Sequence, residues 1–304
     1  MALPPTLQGR LRLPVVAAPM FLGSGPDLVV ACCNAGVLGS FPALNARSTA
    51  GFEAWLDEIA SRLAPGAAPY GVNLIVHRSN PRLEADLEAV VRRKVPVVIT
   101  SLGAVRDVVG AVQSYGGLAL HDVISRRHAE KAAEAGVDGL IAVCAGAGGH
   151  AGTLSPFAFV PEIRQVFDGL VLLAGALSTG AHVLAAQALG ADLAYMGTRF
   201  LATREAMASA AQKEMMLAAR AGDIVYTPNV SGVPANFLKA SLLAAGIDPA
   251  ALDRPELDIH SEAKAWKEIW SAGQGVGSIA DLPGAAELAD RLAAEYAAAR
   301  AALA

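Results

Sequence analysis

The stretch Gly139-Leu-Ile-Ala-Val-Cys144 runs directly into Ala145-Gly-Ala-Gly-Gly-His-Ala-Gly152. The first six residues are apolar and predict a buried strand. Apart from His150, the eight residues that follow are all glycine or alanine, and such small residues let the backbone approach a flat or charged ligand closely. Histidine is the side chain best suited to proton transfer near neutral pH. We therefore predict a ligand platform with one proton-handling group after this strand.

Similar apolar runs recur along the chain and alternate with alanine-rich helical segments. Continuously apolar strands are typical of a parallel sheet that is buried on both faces. The predicted strands are Leu13–Ala18, Val37–Phe41, Tyr70–Val76, Pro96–Thr100, Gly117–His121, Gly139–Cys144, Leu170–Ala174 and Leu193–Met196. The predicted helices cover residues 26–35, 50–63, 81–93, 104–114, 126–135, 157–167, 180–189 and 204–221. Eight such units predict an α/β fold, a (β/α)8 TIM barrel; an open doubly wound sheet is the alternative, and the even spacing favours closure.

Residues 223–277 break this rhythm. We predict a barrel formed by residues 1–222 and 278–304, with 223–277 as a lid-like, partly helical insertion over the barrel mouth. Within it, Asn236–Ala245 is expected to be helical and Pro249–His260 irregular. A final helix is expected to begin near Pro283, because proline suits the first turn of a helix.

Composition excludes several classes of protein. The chain has 304 residues, of which 54% are hydrophobic and 17% charged, with a formal net charge of −4. The absence of a basic stripe argues against nucleic-acid binding, and the short, interrupted apolar runs argue against a membrane span. Three cysteines without C-x-x-C spacing argue against a disulfide framework or a metal site. We expect a cytoplasmic protein, and its alanine-rich helix exteriors are compatible with a homodimer.

The residues with chemical potential fall at the carboxyl ends of the predicted strands, where barrel enzymes place their active sites. Asn73 and the pair His121-Asp122 occupy such positions. The loops Gly175–Gly180 and Gly197-Thr198-Arg199 follow strands seven and eight, where barrels often bind phosphate. Ser178, Thr179 and Thr198 could add hydroxyl donors there. His121 has either a role at the site or a structural hydrogen bond inside the barrel mouth, and Arg199 is expected to pair with a carboxylate.

Five motifs occur in an order that resembles the nitronate monooxygenase family, also called the 2-nitropropane dioxygenase family. They are Pro14-Val-Val-Ala-Ala-Pro-Met20, Tyr70-Gly-Val-Asn-Leu74, Ala147-Gly-Gly-His-Ala-Gly152, Gly190-Ala-Asp192 with Met196-Gly-Thr-Arg-Phe200, and Trp270-Ser-Ala-Gly-Gln274. The resemblance covers almost the whole chain. Flavin-dependent enoyl-ACP reductases and quinone reductases share much of the pattern, so it indicates the barrel superfamily more specifically than the reaction.

The resemblance implies an FMN cofactor whose phosphate is held by the 175–176 and 197–198 loops. It implies that the isoalloxazine ring lies over the barrel mouth and that His150 is the catalytic residue that faces the substrate. Gln274 is implied to approach the flavin from the C-terminal side. The implied cofactor-binding residues are Ala18, Pro19, Met20, Asn73, Asp122, Ala147, Gly148, Gly149, Gly175, Ala176, Gly197, Thr198 and Gln274.

Two departures from the family pattern bear on the site. Relatives often carry a glycine pair where this chain has Gly175-Ala176, and alanine still offers its N–H to a phosphate. Some relatives carry a lysine or glutamine near the flavin where this chain has Asp122. An anionic carboxylate there would disfavour an anionic reduced flavin, and Lys131 is expected to lie too far along the next helix to compensate.

The expected activity is oxidation of alkyl nitronates with O2, which gives a carbonyl compound and nitrite. The alternative is an NAD(P)H-dependent FMN reductase that acts on an enoyl thioester or a quinone. A flavin-binding protein without enzymatic activity is a third hypothesis, which the intact His150 disfavours. All three imply a small-molecule ligand.

Overall fold

Eight parallel strands close into a barrel in this computed structural model, which describes residues 3–103, 106–230, 232–249 and 268–303. The barrel strands are β1 Val15–Ala17, β2 Leu38–Pro42, β3 Gly71–Ile75, β4 Val97–Ser101, β5 Leu118–Val123, β6 Gly139–Val143, β8 Leu170–Ala174 and β9 Leu193–Met196. Each strand pairs with its neighbours in chain order, and β1 also pairs with β9, which closes the sheet. The predicted (β/α)8 TIM barrel is confirmed.

The strands are continuously apolar because each separates two apolar layers. On β5, Leu118 and Leu120 face the barrel interior, whereas Ala119 and Val123 pack against the surrounding helices. The other strands alternate in the same way, with Val16, Ile99, Ile141, Leu172 and Leu193 among the inner residues. Since successive residues of a strand point to opposite faces, this register also decides which side chains at the strand ends reach the barrel mouth.

A helix follows each strand of the barrel. The helices are α1 Pro26–Asn34, α2 Thr49–Arg62, α3 Leu83–Arg92, α4 Arg106–Gln113, α5 Arg126–Glu134, α6 Pro156–Arg164, α7 Gly180–Ala188, α8 Thr198–Leu201, α9 Ala210–Ala218 and α10 Lys239–Ala244. A C-terminal helix covers Ala285–Leu303. Hydroxyl side chains cap several of them: Ser48, Ser125 and Thr179 each accept a hydrogen bond from a backbone N–H in the first turn. Among the described residues, no helix is long and apolar enough to cross a membrane.

The helix predicted over 204–221 is shorter than expected. It begins only at Ala210, where Ser209 caps it by accepting from the N–H of Gln212. The preceding residues form turns, because the buried Lys213 ammonium donates to the carbonyl oxygens of Arg204 (3.3 Å) and Ala206 (2.9 Å). These bonds commit carbonyl groups that a continuous helix would use for its own ladder.

The helix predicted for Asn236–Ala245 is wrong in its first half. Residues Ala235–Leu238 form a strand, β11, and only then does α10 begin. Strand β11 pairs antiparallel with β10 (Ile224–Thr227) and with a two-residue strand, β7 (Gly149–His150). Strand β7 was not predicted, because it lies inside the glycine-rich segment.

The segment predicted to be irregular, Pro249–His260, lies outside the described residues from position 250 onward. The division into a barrel of residues 1–222 and 278–304 and an insertion of residues 223–277 therefore stays a prediction. Within residues 223–277, the hairpin of β10 and β11 lies against the barrel mouth through its pairing with β7, and residues 270–273 also line the mouth.

Candidate active site

A cavity of about 1000 Å³ opens at the carboxyl ends of the barrel strands. This volume lies at the upper end of the range of small-molecule and cofactor sites. The structure brings together at its walls all but one of the predicted site residues: Ala18, Pro19, Met20, Asn73, Asp122, Ala147, Gly148, Gly149, His150, Gly175, Ala176, Gly197 and Thr198. Motifs far apart in the sequence thus meet in one cavity.

Gln274 is the predicted residue that does not line the cavity. Its side chain is exposed, and its backbone N–H donates to the carbonyl oxygen of Gly146 (2.8 Å). The neighbouring Gly273 and Gly275 line the cavity instead. The Trp270–Gln274 motif therefore contributes backbone to the wall, and contact between the Gln274 side chain and a cofactor stays a prediction.

The glycine-rich platform is held closely against the chain around residue 272. A Cβ at Gly148 would lie 2.9 Å from the Gly273 nitrogen, so only glycine fits there without a shift of the backbone. The Ser271 hydroxyl accepts from the Gly149 N–H (2.5 Å) and donates to the Asn236 carbonyl (2.7 Å). These contacts fix β7 and hold the half-buried His150 on the cavity wall.

The loops after β8 and β9 form the wall that was predicted to bind phosphate. Gly175 and Ala176 both have positive φ angles, +143° and +56°. The Ala176 N–H makes a long hydrogen bond to the Gly146 carbonyl (3.3 Å), so it is not wholly available to a phosphate. Helix α8 begins at Thr198, and the N–H groups of a first helical turn have no acceptor within the helix.

The hydroxyl groups of these loops are largely committed to the fold. Buried Ser178 donates to the Gly275 carbonyl (2.8 Å), which corrects its prediction as a phosphate donor. Thr179 accepts from the His182 N–H as the cap of α7. Thr198 accepts from the Gly273 N–H (2.8 Å) and keeps its own hydroxyl proton to donate. Backbone N–H groups and Thr198 are therefore the donors that this wall can offer.

A chain of hydrogen bonds connects three adjacent strands near their carboxyl ends. The Asn73 amide nitrogen donates to the Ser101 hydroxyl (2.8 Å), and the Ser101 hydroxyl donates to Asp122 Oδ2 (2.5 Å). These residues lie on β3, β4 and β5 and face the barrel mouth. Ser101 was not among the predicted site residues, although it ends β4 between the strands that carry Asn73 and Asp122.

Burial changes the acidity of the groups at the base of the cavity. Burial raises the pKa of Asp122 to about 6, and the Ser101 hydrogen bond opposes part of that shift. Burial, followed by the charge of Asp122, raises the pKa of Tyr195, which lines the same cavity from β9. Tyr195 is therefore a neutral phenol, while Asp122 exchanges a proton in a range close to neutral pH.

His121 and Arg199 have mainly structural contacts. His121 faces the helix layer rather than the barrel interior, and its Nδ1 lies 2.8 Å from the Thr100 hydroxyl. This corrects the expectation that it bonds inside the barrel mouth. Arg199 is buried and lies 3.6 Å from the Asp281 carboxylate, as predicted, and it donates to the Asp281 carbonyl (2.9 Å).

A model of the family described as nitronate monooxygenase matches residues 7–295. The chain belongs to the nitronate monooxygenase family. Three relatives of this chain have names that describe oxidoreductases acting on different substrates.

A nitronate monooxygenase of Paraburkholderia phytofirmans is 28% identical, over 93% of this chain and 92% of that protein. The (3aS,4S,5R,7aS)-5-hydroxy-7a-methyl-1-oxo-octahydro-1H-indene-4-carboxyl-CoA dehydrogenase of Rhodococcus jostii is 29% identical over 76% of this chain, and the match spans only 64% of that relative. The crystal structure of a nitroalkane oxidase from Streptomyces ansochromogenes superposes with a TM-score of 0.85 at 27% identity, over 98% of this chain and 100% of that chain. The chain is therefore similar both to proteins named for nitro compounds and to one named for a coenzyme A thioester.

Replacing Ala176 by glycine is expected to stabilise the protein. An alanine in the left-handed region destabilises the folded state by about 1–2 kcal/mol, and glycine would remove this strain. Glycine also makes the unfolded chain more flexible, which lowers the gain in stability by about 0.4–1 kcal/mol. Ala176→Gly should raise the free energy of unfolding by roughly 0.5–1 kcal/mol in urea denaturation. Ala185→Gly, at an exposed position in α7, should lower it. A loss of stability in Ala176→Gly would contradict the strain at this loop.

The raised pKa of Asp122 predicts a dependence of stability on pH. Because the folded state holds this proton more tightly than the unfolded state, ionisation of Asp122 costs stability above about pH 6, and the cost disappears as the pH falls to about 4. Asp122→Asn should raise the free energy of unfolding at pH 7.5 by roughly 1–3 kcal/mol, with no gain at pH 4. The exposed Asp168→Asn is the control, and a gain that is the same at both pH values would rule out ionisation of Asp122 as the cause.

Proposed function

We propose that this chain is an FMN-dependent nitronate monooxygenase, which oxidises alkyl nitronates with O2 to a carbonyl compound and nitrite. The observation that carries the proposal is His150 on the wall of a cavity whose glycine-rich loops present backbone, in a chain that the family model matches over residues 7–295. A flat cofactor with a phosphate group fits these walls, since Gly148 and Gly175 present no side chain and the loop at Thr198 presents N–H and hydroxyl donors. Family membership supports a flavin.

The residues that would hold FMN are Gly148, Gly175, Gly197 and Thr198, with Asn73 as a further polar contact. A bound flavin would supply the one-electron redox chemistry, and O2 would be the oxidant in the conversion of the nitronate to the carbonyl compound and nitrite. The rest of the task falls to the protein: to position the substrate, to shield it from water, and to handle its charge and proton.

His150 has two roles that depend on the state of the substrate. A nitronate carries negative charge on its nitro group, and a protonated imidazole would bind that group by a charge-assisted hydrogen bond. A neutral nitroalkane must first lose its α-proton, and the neutral imidazole would accept it. Both roles require the imidazole to be held at the cavity, which the pairing of β7 with β11 provides.

The second candidate is a flavin-dependent oxidoreductase that acts on a thioester and exchanges electrons with NAD(P)H. The name of the Rhodococcus relative, a carboxyl-CoA dehydrogenase, favours it. In this case His150 would orient the substrate or donate a proton to it. A quinone reductase is the other form of the same alternative.

Flavin reduction distinguishes these candidates. The visible spectrum of the purified protein is followed anaerobically while propyl nitronate is added, and NADPH is added to a second sample. We expect nitronate, and not NADPH, to bleach the flavin absorbance, and nitrite to form when air is admitted. Bleaching by NADPH alone would instead support the reductase, and a protein purified without flavin that does not take up FMN would overturn both.

Replacing His150 by asparagine should lower turnover of nitroalkanes by about a hundredfold or more, because general base catalysis typically contributes this much. The bound flavin and its absorbance should be retained, since the imidazole is not one of the groups proposed to hold it. His77→Asn, outside the cavity wall, serves as the control. Unchanged turnover in His150→Asn would exclude the proposed proton transfer.

A further inference from the structure

The cavity extends beyond the barrel mouth. Asp122 faces the barrel interior and His121 faces the helix layer, yet both line the same cavity. The cavity therefore passes over the carboxyl end of β5 and continues between the barrel wall and helices α4 and α5. We call this extension, lined by Arg106, His121, His128 and Lys131, the side limb.

The inner end of the side limb is polar and uncharged. His121 is nine-tenths buried, and burial is the main reason that its pKa falls to about 4, so the ring is uncharged at neutral pH. The Thr100 hydroxyl lies 2.8 Å from His121 Nδ1 and 3.1 Å from the Leu120 carbonyl oxygen, so it holds the imidazole ring in place.

Two cations, Arg106 and Lys131, line the outer part of the side limb beside the imidazole of His128. Arg106 begins α4, whereas His128 and Lys131 lie one turn apart on α5. Arg106 donates to the backbone carbonyl of Glu134 (3.0 Å), which holds the guanidinium in place without neutralising it. No carboxylate among the described residues forms an ion pair with Arg106 or Lys131. Of the described residues, Glu134 is the single carboxylate on this part of the wall, in a chain whose formal net charge is −4.

This distribution of charge suits a phosphate ester. Guanidinium and ammonium groups bind phosphate through charge-assisted hydrogen bonds, and a site open to the cavity on one side and to solvent on the other admits a long ligand. A nitronate or nitroalkane of a few carbon atoms has no group that would reach the side limb or use its charge.

We propose that the side limb binds the phosphate-bearing part of a long substrate or cosubstrate whose reacting end lies beside His150. The proposal deepens the function proposed above and rests on it for the position of the reacting end. Two sources share this chemistry: a coenzyme A thioester and a reduced nicotinamide nucleotide. The side limb therefore predicts that this protein binds a phosphorylated ligand, which a simple nitronate is not.

Calorimetric titration of the purified protein, with its flavin if it carries one, tests the side limb without turnover. The probes are coenzyme A, NADPH and pantetheine, which shares the thiol arm of coenzyme A and has no phosphate. We expect coenzyme A or NADPH to bind with an affinity that falls as salt is raised, and pantetheine to bind more weakly than coenzyme A. Stronger binding of coenzyme A identifies a thioester as the ligand, whereas stronger binding of NADPH identifies a nicotinamide nucleotide.

The double variant Arg106→Gln and Lys131→Gln should weaken the preferred probe by roughly tenfold at low salt, because it removes two cations that face the phosphate. Arg127→Gln is the matched control, since Arg127 is exposed on the same helix and does not line the cavity. Equal weakening in the control would reduce the effect to overall charge and overturn the proposal. The proposal would also be overturned if the wild-type protein bound neither phosphorylated probe, or if the double variant bound the preferred probe as tightly as the wild type does.

These outcomes are separate from the test of the proposed function. A protein whose flavin is reduced by neither nitronate nor NADPH, and which nevertheless binds coenzyme A through Arg106 and Lys131, would retain the side limb and lose the proposed reaction. A protein that is reduced by nitronate and shows no difference between the double variant and the control would retain the reaction and lose the side limb.

Discussion

Closure of the barrel by the pairing of β1 with β9 is the constraint on which the site depends. Val16 lies opposite Tyr195 and Ala17 opposite Met196, so the two strands end side by side although nearly 180 residues separate them. Met20, Gly197 and Thr198 then share one cavity wall. Without this pairing, the loops proposed to hold a phosphate would have no opposite wall, because an open sheet would leave β1 and β9 at different edges.

The second constraint is the close approach of two loops that carry almost no side chains. Gly148 and Gly273 pack backbone against backbone, and the Ser271 hydroxyl connects Gly149 to the carbonyl of Asn236. The platform under His150 therefore relies on contacts with the C-terminal third of the chain. This explains why small residues occupy both segments: a side chain at either position would separate the loops and displace the histidine from the cavity wall.

The charges of the cavity are distributed over three regions. A half-buried histidine lies on the platform, a carboxyl group with a raised pKa lies at the base, and the cations Arg106 and Lys131 lie along the side limb. Burial, rather than a neighbouring charge, is the main cause of the raised pKa of Asp122. The group therefore gains a proton readily, which lessens the conflict between a carboxylate at this position and an anionic reduced cofactor. The charge of the cavity base then depends on pH, and Tyr195, opposite Asp122, remains a neutral donor.

The sequence by itself determined the barrel, since eight continuously apolar runs with intervening helices have few other ways to bury both faces of each strand. It also determined which strand ends carry polar residues, and hence most of the cavity wall around His150. Only the tertiary structure decided that Ala235–Leu238 is a strand, because its apolar residues suit a helix equally well and the partner strand β7 lies inside a glycine-rich loop. Only the tertiary structure placed Ser101 between Asn73 and Asp122, directed Ser178 to the Gly275 carbonyl, and left the side chain of Gln274 exposed. In each case the deciding contact joins segments that are far apart in the chain, and the contacting residue cannot be inferred from the local sequence.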